Sequence, residues 1–234
     1  MKRAAAAALV AFAASCAAPS AGDGAAAQFG AMREVMREGR VEPRVRLDAL
    51  GLAPGSIGVG AVAQLEGEIT IVDGIAHVTR APEGRPERIA DTAAVRATLL
   101  TFANPAWRAP RELAGELDES SLASIAAAAG TFASVDATGA ALDLQLHVTR
   151  GACPHGTTTP ATDPWRWSAP TGARVRLVGF FAPGRAGTLT HHGTDFHLHA
   201  VVAMQDGTTV TGHVDSFRLA PGAIVRVGAC VAPR

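Results

Sequence analysis

The chain has 234 residues, 48% of them hydrophobic and 18% charged, which is typical of a globular protein with a proper core and excludes a disordered chain. Its formal charge is zero and its pI is near 7.1, and no run of Lys and Arg suggests a phosphate-binding surface, so nucleic acid is not an expected partner. The 25 Gly and 14 Pro indicate many turns and favour a β-rich or mixed fold over a helical bundle.

The amino terminus has the pattern of an export signal. Lys2 and Arg3 precede an apolar run that is too short to span a bilayer, and small residues follow up to Cys16. Cys16 lies where a lipid-modified cysteine would stand, so a lipid anchor and a plainly secreted form both remain open. We expect an exported protein, in the periplasm or at the cell surface.

This pattern divides the chain into a signal at residues 1–16, a flexible tether at 17–27 and one domain at 28–234. Export also changes the expectation for the two remaining cysteines, Cys153 and Cys230. In an oxidising compartment they are expected to form a disulfide, with two buried free thiols as the alternative.

Two helices are expected. The segment "QFGAMREVMREGR" places Phe29, Met32, Val35 and Met36 on one helical stripe, and Gly39 supplies a stop. The segment "DESSLASIAAAAG" has cap residues, an apolar run and a terminal glycine.

The rest of the chain reads mainly as strands. "GSIGVGAVAQLEGEITIVDGIAHVTRA" predicts a hairpin that turns at Asp73 and Gly74, and "ATLLTFA" predicts a buried strand. The segment "TTTPATDPWRWSAPTG" is expected to be a loop pinned to the core by Trp165 and Trp167. Further strands are expected in "AALDLQLHV", "ARVRLVGFFAP", "FHLHAVVAM", "TTVTGHVDSFRL" and "AIVRVGACV". The predicted class is α/β in the α+β sense, a β-rich single domain with mixed or antiparallel sheets and a few short helices.

Three histidines are candidates for one metal ion. His197 and His199 are two residues apart on a predicted strand, so both rings project from the same face. His213 lies on the next strand and can return opposite them. Three protein ligands with an open position are the pattern of a catalytic zinc site. His191 and His192 precede the strand and are expected to be solvated in a loop, with His192 able to cover the mouth of the site.

Several motifs in combination resemble the acetolactate decarboxylase family. They are "GVGAVAQLEGEITIVDG" and "VGFFAPGRAGTLTHHGTDFHLHAVVAMQDGTTVTGHVDSF", in that order. The resemblance implies cofactor-free decarboxylation of 2-acetolactate to acetoin, with Zn2+ on His197, His199 and His213 chelating the substrate and stabilising an enediolate. It also implies an acid or base at Glu68. By spacing alone, Glu68 and its neighbour Glu66 could equally be exposed hairpin residues.

This sequence departs from the family pattern at three places. The turn "MQDGTT" before the third histidine is longer, and no acidic residue follows Asp215. At the place of the family's central arginine stand His147 and, three residues later, Arg150. Either could contact the substrate, and the sequence does not choose between them.

Two other functions remain open. A cupin-like metalloenzyme also uses the H-x-H pattern, but the glutamate that such enzymes normally add a few residues later is missing from "AVVAMQD". The other alternative is a non-catalytic metal- or ligand-binding module on the same scaffold. The sequence does not fix the oligomeric state, and a homodimer is among the states it allows.

Overall fold

Two antiparallel sheets follow one another along the chain in the computed structural model, which describes residues 24–151 and 163–233. The seven-stranded first sheet contains β1 Ala26–Phe29, β2 Val45–Arg46, β3 Ile57–Val62, β4 Glu68–Val72, β5 Ile75–Arg80, β6 Glu87–Arg88 and β7 Arg96–Ala103. The nine-stranded second sheet contains β8 Ala106–Trp107, β9 Arg111–Glu112, β10 Leu117–Asp118, β11 Ala133–Val148, β12 Trp165–Ser168, β13 Arg174–Phe181, β14 Phe196–Ala203, β15 Thr209–Leu219 and β16 Ile224–Ala229. The predicted β-rich α+β class is confirmed.

Both predicted helices are present among the described residues. Helix α1 spans Met32–Glu38, and Gly39 ends it with a φ of 67°, a left-handed value that glycine adopts readily. Phe29, which we placed on the helical stripe, instead belongs to β1. Helix α2 spans Glu119–Ala127 and ends before the glycine that was expected to stop it. The Asp118 carboxylate caps its start by accepting a hydrogen bond from the backbone N–H of Ser121 at 2.8 Å. Short 3-10 helices lie at Leu47–Ala49, Ala63–Leu65 and Pro82–Gly84.

The β4–β5 hairpin turns where the sequence predicts. Asp73 and Gly74 have φ values of 50° and 78°, which are the positive angles that a two-residue turn between twisted strands needs at both positions. Further along, β14 pairs with β13 on one side and with β15 on the other. The long β11 pairs with β13, β15 and β16. The hairpin β14–β15 therefore lies inside the second sheet.

The segment before β13 differs from its prediction. Trp165–Ser168, expected within a loop, forms β12 and pairs antiparallel with β11, so that Arg166 lies opposite His147. The flanking prolines and threonines indicated a loop. The segment itself alternates aromatic and polar residues, as a half-buried strand does. Trp165 and Trp167 stack at 6.1 Å between ring centroids and pack against the core of the second sheet, so the predicted pinning is confirmed.

The sheets face each other across apolar and ionic contacts. Val59 of β3 and Phe180 of β13 belong to one buried cluster. At one place a carboxylate replaces this apolar packing, because Asp136 on β11 is buried and accepts hydrogen bonds from Arg176 and Arg226. Both arginines also reach Asp73 in the hairpin turn of the first sheet, at 2.8 and 2.9 Å. This paired ionic cluster joins the two sheets.

Other predictions concern the ends of the chain and its cysteines. Residues 1–16 and Cys153 lie outside the described residues, so the signal and the disulfide stay predictions. The predicted tether is described only from residue 24, and Ala26 and Ala27 pair with β7 as part of β1. The Cys230 sulfur lies 3.0 Å from the Ser134 hydroxyl. Among the described residues, no helix has the length and apolar character needed to cross a bilayer.

Candidate metal centre

The three histidines proposed as ligands lie on neighbouring strands of the second sheet, on the face directed at the first sheet. His197 and His199 share one face of β14, and His199 lies directly opposite His213 of β15. Their ring centroids are 5.2 Å apart for His197 and His199, 5.4 Å for His197 and His213, and 5.5 Å for His199 and His213. The structure thus brings together the three residues that the sequence singled out.

A further histidine joins them. His191, in the loop between β13 and β14, has its ring centroid 4.6 Å from that of His213 and 5.9 Å from that of His197. One ring nitrogen from each of His191, His197 and His213 lies within 4.8 Å of the other two, a grouping that could hold a metal ion. The expectation that His191 is solvated is wrong, because it is only partly exposed and faces the other rings. His192 is exposed as expected, and its Nε2 lies 2.7 Å from Nη2 of Arg37 on α1.

Neighbouring backbone and hydroxyl groups orient two of the rings. Nδ1 of His199 lies 3.1 Å from the Thr70 hydroxyl, which also contacts the hydroxyl of Thr211. The backbone carbonyl of Leu189 lies beside the His197 ring and acts to raise its pKa. Metal-ligating histidines usually have one ring nitrogen fixed in this way, which leaves the other nitrogen available for the metal.

The remaining nitrogens of these two rings provide a test of whether the site suits a metal. Nδ1 of His197 and Nε2 of His199 are buried and have no hydrogen-bond partner among the described residues. A buried polar atom without a partner costs roughly 1–3 kcal/mol, so such atoms usually have a reason. Imidazole nitrogens are ligands for zinc and other transition metals, and the donor set therefore fits a metal ion.

The electrostatics favour the neutral imidazoles that a metal requires. Burial lowers the pKa of His197 to about 3 and that of His191 to about 4, in each case with a smaller contribution from neighbouring histidines. The pKa values of His199 and His213 are also held well below the usual value, mainly by burial. Near neutral pH all four rings are neutral, so metal binding displaces no proton from their free nitrogens.

Glu68 lies beside this cluster and Glu66 does not. Glu68 begins β4, is 3% exposed, and has Oε2 3.7 Å from Nε2 of His199. Its Oε1 accepts a hydrogen bond from the backbone N–H of Thr149 at 3.1 Å, and burial raises its pKa to about 7. Glu66 is exposed and lies 4.0 Å from Arg80. The two glutamates are therefore not same-face neighbours on one strand, since Glu66 precedes β4.

The two candidates for the central cationic position are separated by the fold. His147 lies opposite His213 across β11 and β15, with 4.9 Å between ring centroids. Arg150 lies beyond the end of β11, and its Nε donates a hydrogen bond to the carbonyl of Ala81 at 3.0 Å. Only His147 is next to the histidine cluster.

Asp215 and Arg166 extend the site, and the sequence analysis did not identify either as functional. Asp215 follows His213 by two residues on the same face of β15, and its Oδ1 lies 2.7 Å from Nδ1 of His147. Its Oδ2 accepts a hydrogen bond from Nη1 of Arg166 at 2.6 Å. Arg166 could have been found only by recognising β12, because its pairing with β11 is what places it there.

A cavity of about 340 Å³ opens beside these residues. His147, His191, His213 and Asp215 supply its polar side, and Leu198 and Phe217 are among its apolar walls. This volume is at the lower end of the range for small-molecule sites, which suits a small ligand.

Known proteins resemble this chain in sequence family and in fold. A family model described as alpha-acetolactate decarboxylase matches residues 28–230. The crystal structure of alpha-acetolactate decarboxylase from Bacillus subtilis strain 168 is 16% identical and superposes with a TM-score of 0.72, covering 91% of this chain and 88% of that one. A Staphylococcus aureus protein of unknown function, described as similar to alpha-acetolactate decarboxylase, is also 16% identical, with a TM-score of 0.70 and coverage of 90% and 88%. At this identity the structural likeness shows the fold alone. No curated protein gave a significant sequence match.

Proposed function

The chain belongs to the alpha-acetolactate decarboxylase family, and on that premise we propose that it is a carboxy-lyase that converts 2-acetolactate to acetoin and carbon dioxide. We propose zinc as its metal, held by His197, His199 and His213. The observation that carries the proposal is the pair of buried, unpartnered nitrogens, Nδ1 of His197 and Nε2 of His199, within a cluster of neutral imidazoles. A small cavity next to the cluster offers room for the substrate.

A zinc ion bound there would supply a Lewis acid that polarises the ketone and hydroxyl oxygens of the substrate and stabilises the negative charge left as carbon dioxide departs. The protein has to deliver a proton to the carbon that loses the carboxylate. Glu68 is suited to this role, because it is buried beside the cluster and burial raises its pKa to about 7 in the metal-free protein. The Thr149 N–H fixes one carboxyl oxygen, and the other lies toward His199.

His147 is proposed to contact the substrate carboxylate in place of the family's central arginine. It lines the cavity, whereas Arg150 is engaged with the Ala81 carbonyl. Asp215 orients the His147 ring through Nδ1, and Arg166 offsets the negative charge of Asp215. A hydrogen bond to a charged group is worth roughly 1.5–3 kcal/mol, so this contact can set the affinity for the substrate.

The proposal is tested by incubating metal-stripped and zinc-reloaded protein with racemic 2-acetolactate and measuring acetoin and carbon dioxide. We expect product formation above the spontaneous rate only after zinc is restored, and none with His199→Ala. His192→Ala, which changes a neighbouring loop histidine whose ring contacts Arg37, is the matched control and should still form acetoin when zinc is restored. Full activity in chelator or in His199→Ala would contradict the proposal.

A second candidate is a non-catalytic metal- or ligand-binding module. It is favoured by the absence of any Asp or Glu after Asp215, a region where the resembling family carries an acidic residue near the site. Such a module would bind zinc stoichiometrically and leave 2-acetolactate and related hydroxy-keto acids unchanged in the same assay.

We propose further that the protein is exported, because the basic start, the short apolar run and Cys16 have the pattern of a signal. Mass spectrometry of the mature protein tests this directly. An amino terminus at a lipid-bearing Cys16 indicates an anchored lipoprotein, an unmodified terminus after a nearby alanine indicates a secreted form, and an intact Met1 contradicts export.

A further inference from the structure

We infer that His191 is a fourth protein ligand of the metal, so that the resting centre is closed by four histidines and the substrate has to displace the one carried by a loop. The inference rests on the metal-binding part of the proposed function and goes beyond its three ligands. His191 lies within a segment that carries the family resemblance, but the resemblance implies no role for it as a ligand. Its place in the cluster is a property of the fold of this chain.

The first support is geometric. A ring nitrogen of His191 lies within 4.8 Å of ring nitrogens of both His197 and His213, and His191 and His213 have the shortest ring separation in the cluster, 4.6 Å. The ring centroid of His199 lies 5.2 Å from that of His197 and 5.5 Å from that of His213. Three of these donors are mutually close enough to hold one ion, and His199 on the same sheet face would supply the fourth of the ligands that zinc takes in closed sites.

The second support is the anchoring of the loop just before His191. Leu189 and Thr190 are buried, with exposures of 2% and 0%. The backbone N–H of Gly187 donates to the Thr190 carbonyl at 2.8 Å, and the N–H of Met32 at the start of α1 donates to the Thr188 carbonyl at 3.1 Å. The residues that lead into His191 are therefore fixed on the protein core, and they direct its ring to the cluster.

The loop is also coupled to a ligand already in the set. The Leu189 carbonyl, two residues before His191, lies next to the His197 ring and acts to raise the pKa of that ring. The same short segment thus lies against one histidine of β14 and presents another. Outer partners of this kind set the ring orientation of metal ligands.

His191 is the ligand best placed to leave. Like His213 it lines the cavity and is partly exposed, whereas His197 and His199 are buried within β14. Catalytic zinc sites keep a position for the substrate, so a centre with four histidines becomes competent when one of them withdraws. The loop histidine can do so without disturbing a strand.

The chain supplies its own control. His192 is adjacent to His191 but points away, toward Arg37. His191→Ala and His192→Ala therefore remove the same group from consecutive positions of one loop. Loss of an outer partner alone typically lowers metal affinity about 10–100-fold, so loss of a ligand should cost at least tenfold.

The test measures zinc affinity by competition with a chromophoric chelator and counts imidazole ligands by X-ray absorption on the zinc-loaded proteins. We expect His191→Ala to bind zinc at least tenfold more weakly and to contain three imidazoles where the unsubstituted protein contains four. His192→Ala should match the unsubstituted protein in both. The inference is overturned if His191→Ala has unchanged affinity, or if the imidazole count is the same with and without His191.

A folding defect in His191→Ala would not leave the inference untested. The unsubstituted protein must by itself contain four imidazole ligands, and this count does not depend on the variant. The outcome is also distinct from that of the proposed function. Four imidazole ligands without turnover of 2-acetolactate would support this inference and contradict the decarboxylase proposal. Turnover at a centre with three imidazole ligands would support the decarboxylase proposal and contradict this inference.

Discussion

Nε2 of His199 lies 3.7 Å from Oε2 of Glu68, and both side chains are buried. A carboxyl group with its pKa raised to about 7 is thus placed next to a candidate metal ligand. This arrangement joins the two functions that the proposed reaction needs, stabilisation of negative charge and delivery of a proton.

Replacing the carboxyl group separates these functions. Glu68→Gln should lower kcat for acetoin formation by about 10²–10⁴-fold, the usual contribution of a general acid, while zinc stoichiometry stays unchanged. Steady-state kinetics with metal analysis of the same samples check this. Glu66→Gln is the matched control, since Glu66 is exposed beside Arg80, and it should keep normal activity. A Glu68→Gln protein as active as its control would remove Glu68 from the mechanism.

The two candidates for contact with the substrate carboxylate should behave differently. His147→Ala should reduce kcat/KM by about 10- to 100-fold, because a contact worth roughly 1.5–3 kcal/mol is lost. Arg150→Ala should change it less than about twofold, since the Arg150 guanidinium bonds a backbone carbonyl away from the histidine cluster. The reverse order in a side-by-side assay would mean that Arg150 is the substrate contact.

The metal-free protein should become less stable on mild acidification. Four histidines have pKa values in the folded protein that are lowered from about 6.5: His191, His197, His199 and His213. Their contribution to the free energy of unfolding is therefore full above pH 6.5, and it is lost as the pH falls toward their folded pKa values. Glu68 acts in the opposite direction, because its folded pKa is raised and its contribution is lost as the pH rises from 4.5 to about 7. The four histidines together outweigh Glu68, so the free energy of unfolding should fall on acidification.

Urea unfolding at pH 7.5 and pH 5 measures this effect. We expect the free energy of unfolding of the metal-free protein to fall by at least about 2 kcal/mol, which is the contribution of one such histidine over 1.5 pH units. His197→Gln should show a smaller fall. An equal free energy of unfolding at both pH values would mean that the rings are not held neutral by burial.

The ionic cluster between the sheets should be important for stability. Asp136→Ala leaves Arg176 and Arg226 without their buried partner, and breaking a buried pair from one side costs about 3–5 kcal/mol. The exposed pair of Arg218 and Glu116 is the control, and Arg218→Ala should cost less than about 1 kcal/mol. Thermal and urea unfolding check both values. Equal destabilisation by the two changes would contradict the role given to Asp136.

Local patterns were enough to predict much of the second sheet and the core of the site. The spacing of His197 and His199 fixes their shared face because side chains alternate along any strand, and a following turn returns His213 beside them. Asp73 and Gly74 define their turn because few other residue pairs accept its backbone angles.

Other parts of the site depend on contacts between distant segments. His191 is in a loop without a recognisable pattern, and only the anchoring of Leu189 and Thr190 in the core directs it inward. Glu66 and Glu68 have strand spacing in the sequence, but the chain bends at Gly67, whose φ is 146°. A Cβ there would lie 2.4 Å from the Thr79 carbonyl oxygen, so the bend and the close approach both require glycine.

The central claim is that the histidines of β14 and β15 form a metal centre, and anomalous diffraction at the zinc edge from crystals of zinc-loaded protein tests it most directly. We predict one strong peak in contact with Nδ1 of His197, Nε2 of His199 and a ring nitrogen of His213. A fully loaded protein whose zinc lies elsewhere, with these nitrogens still unpartnered, would contradict the account.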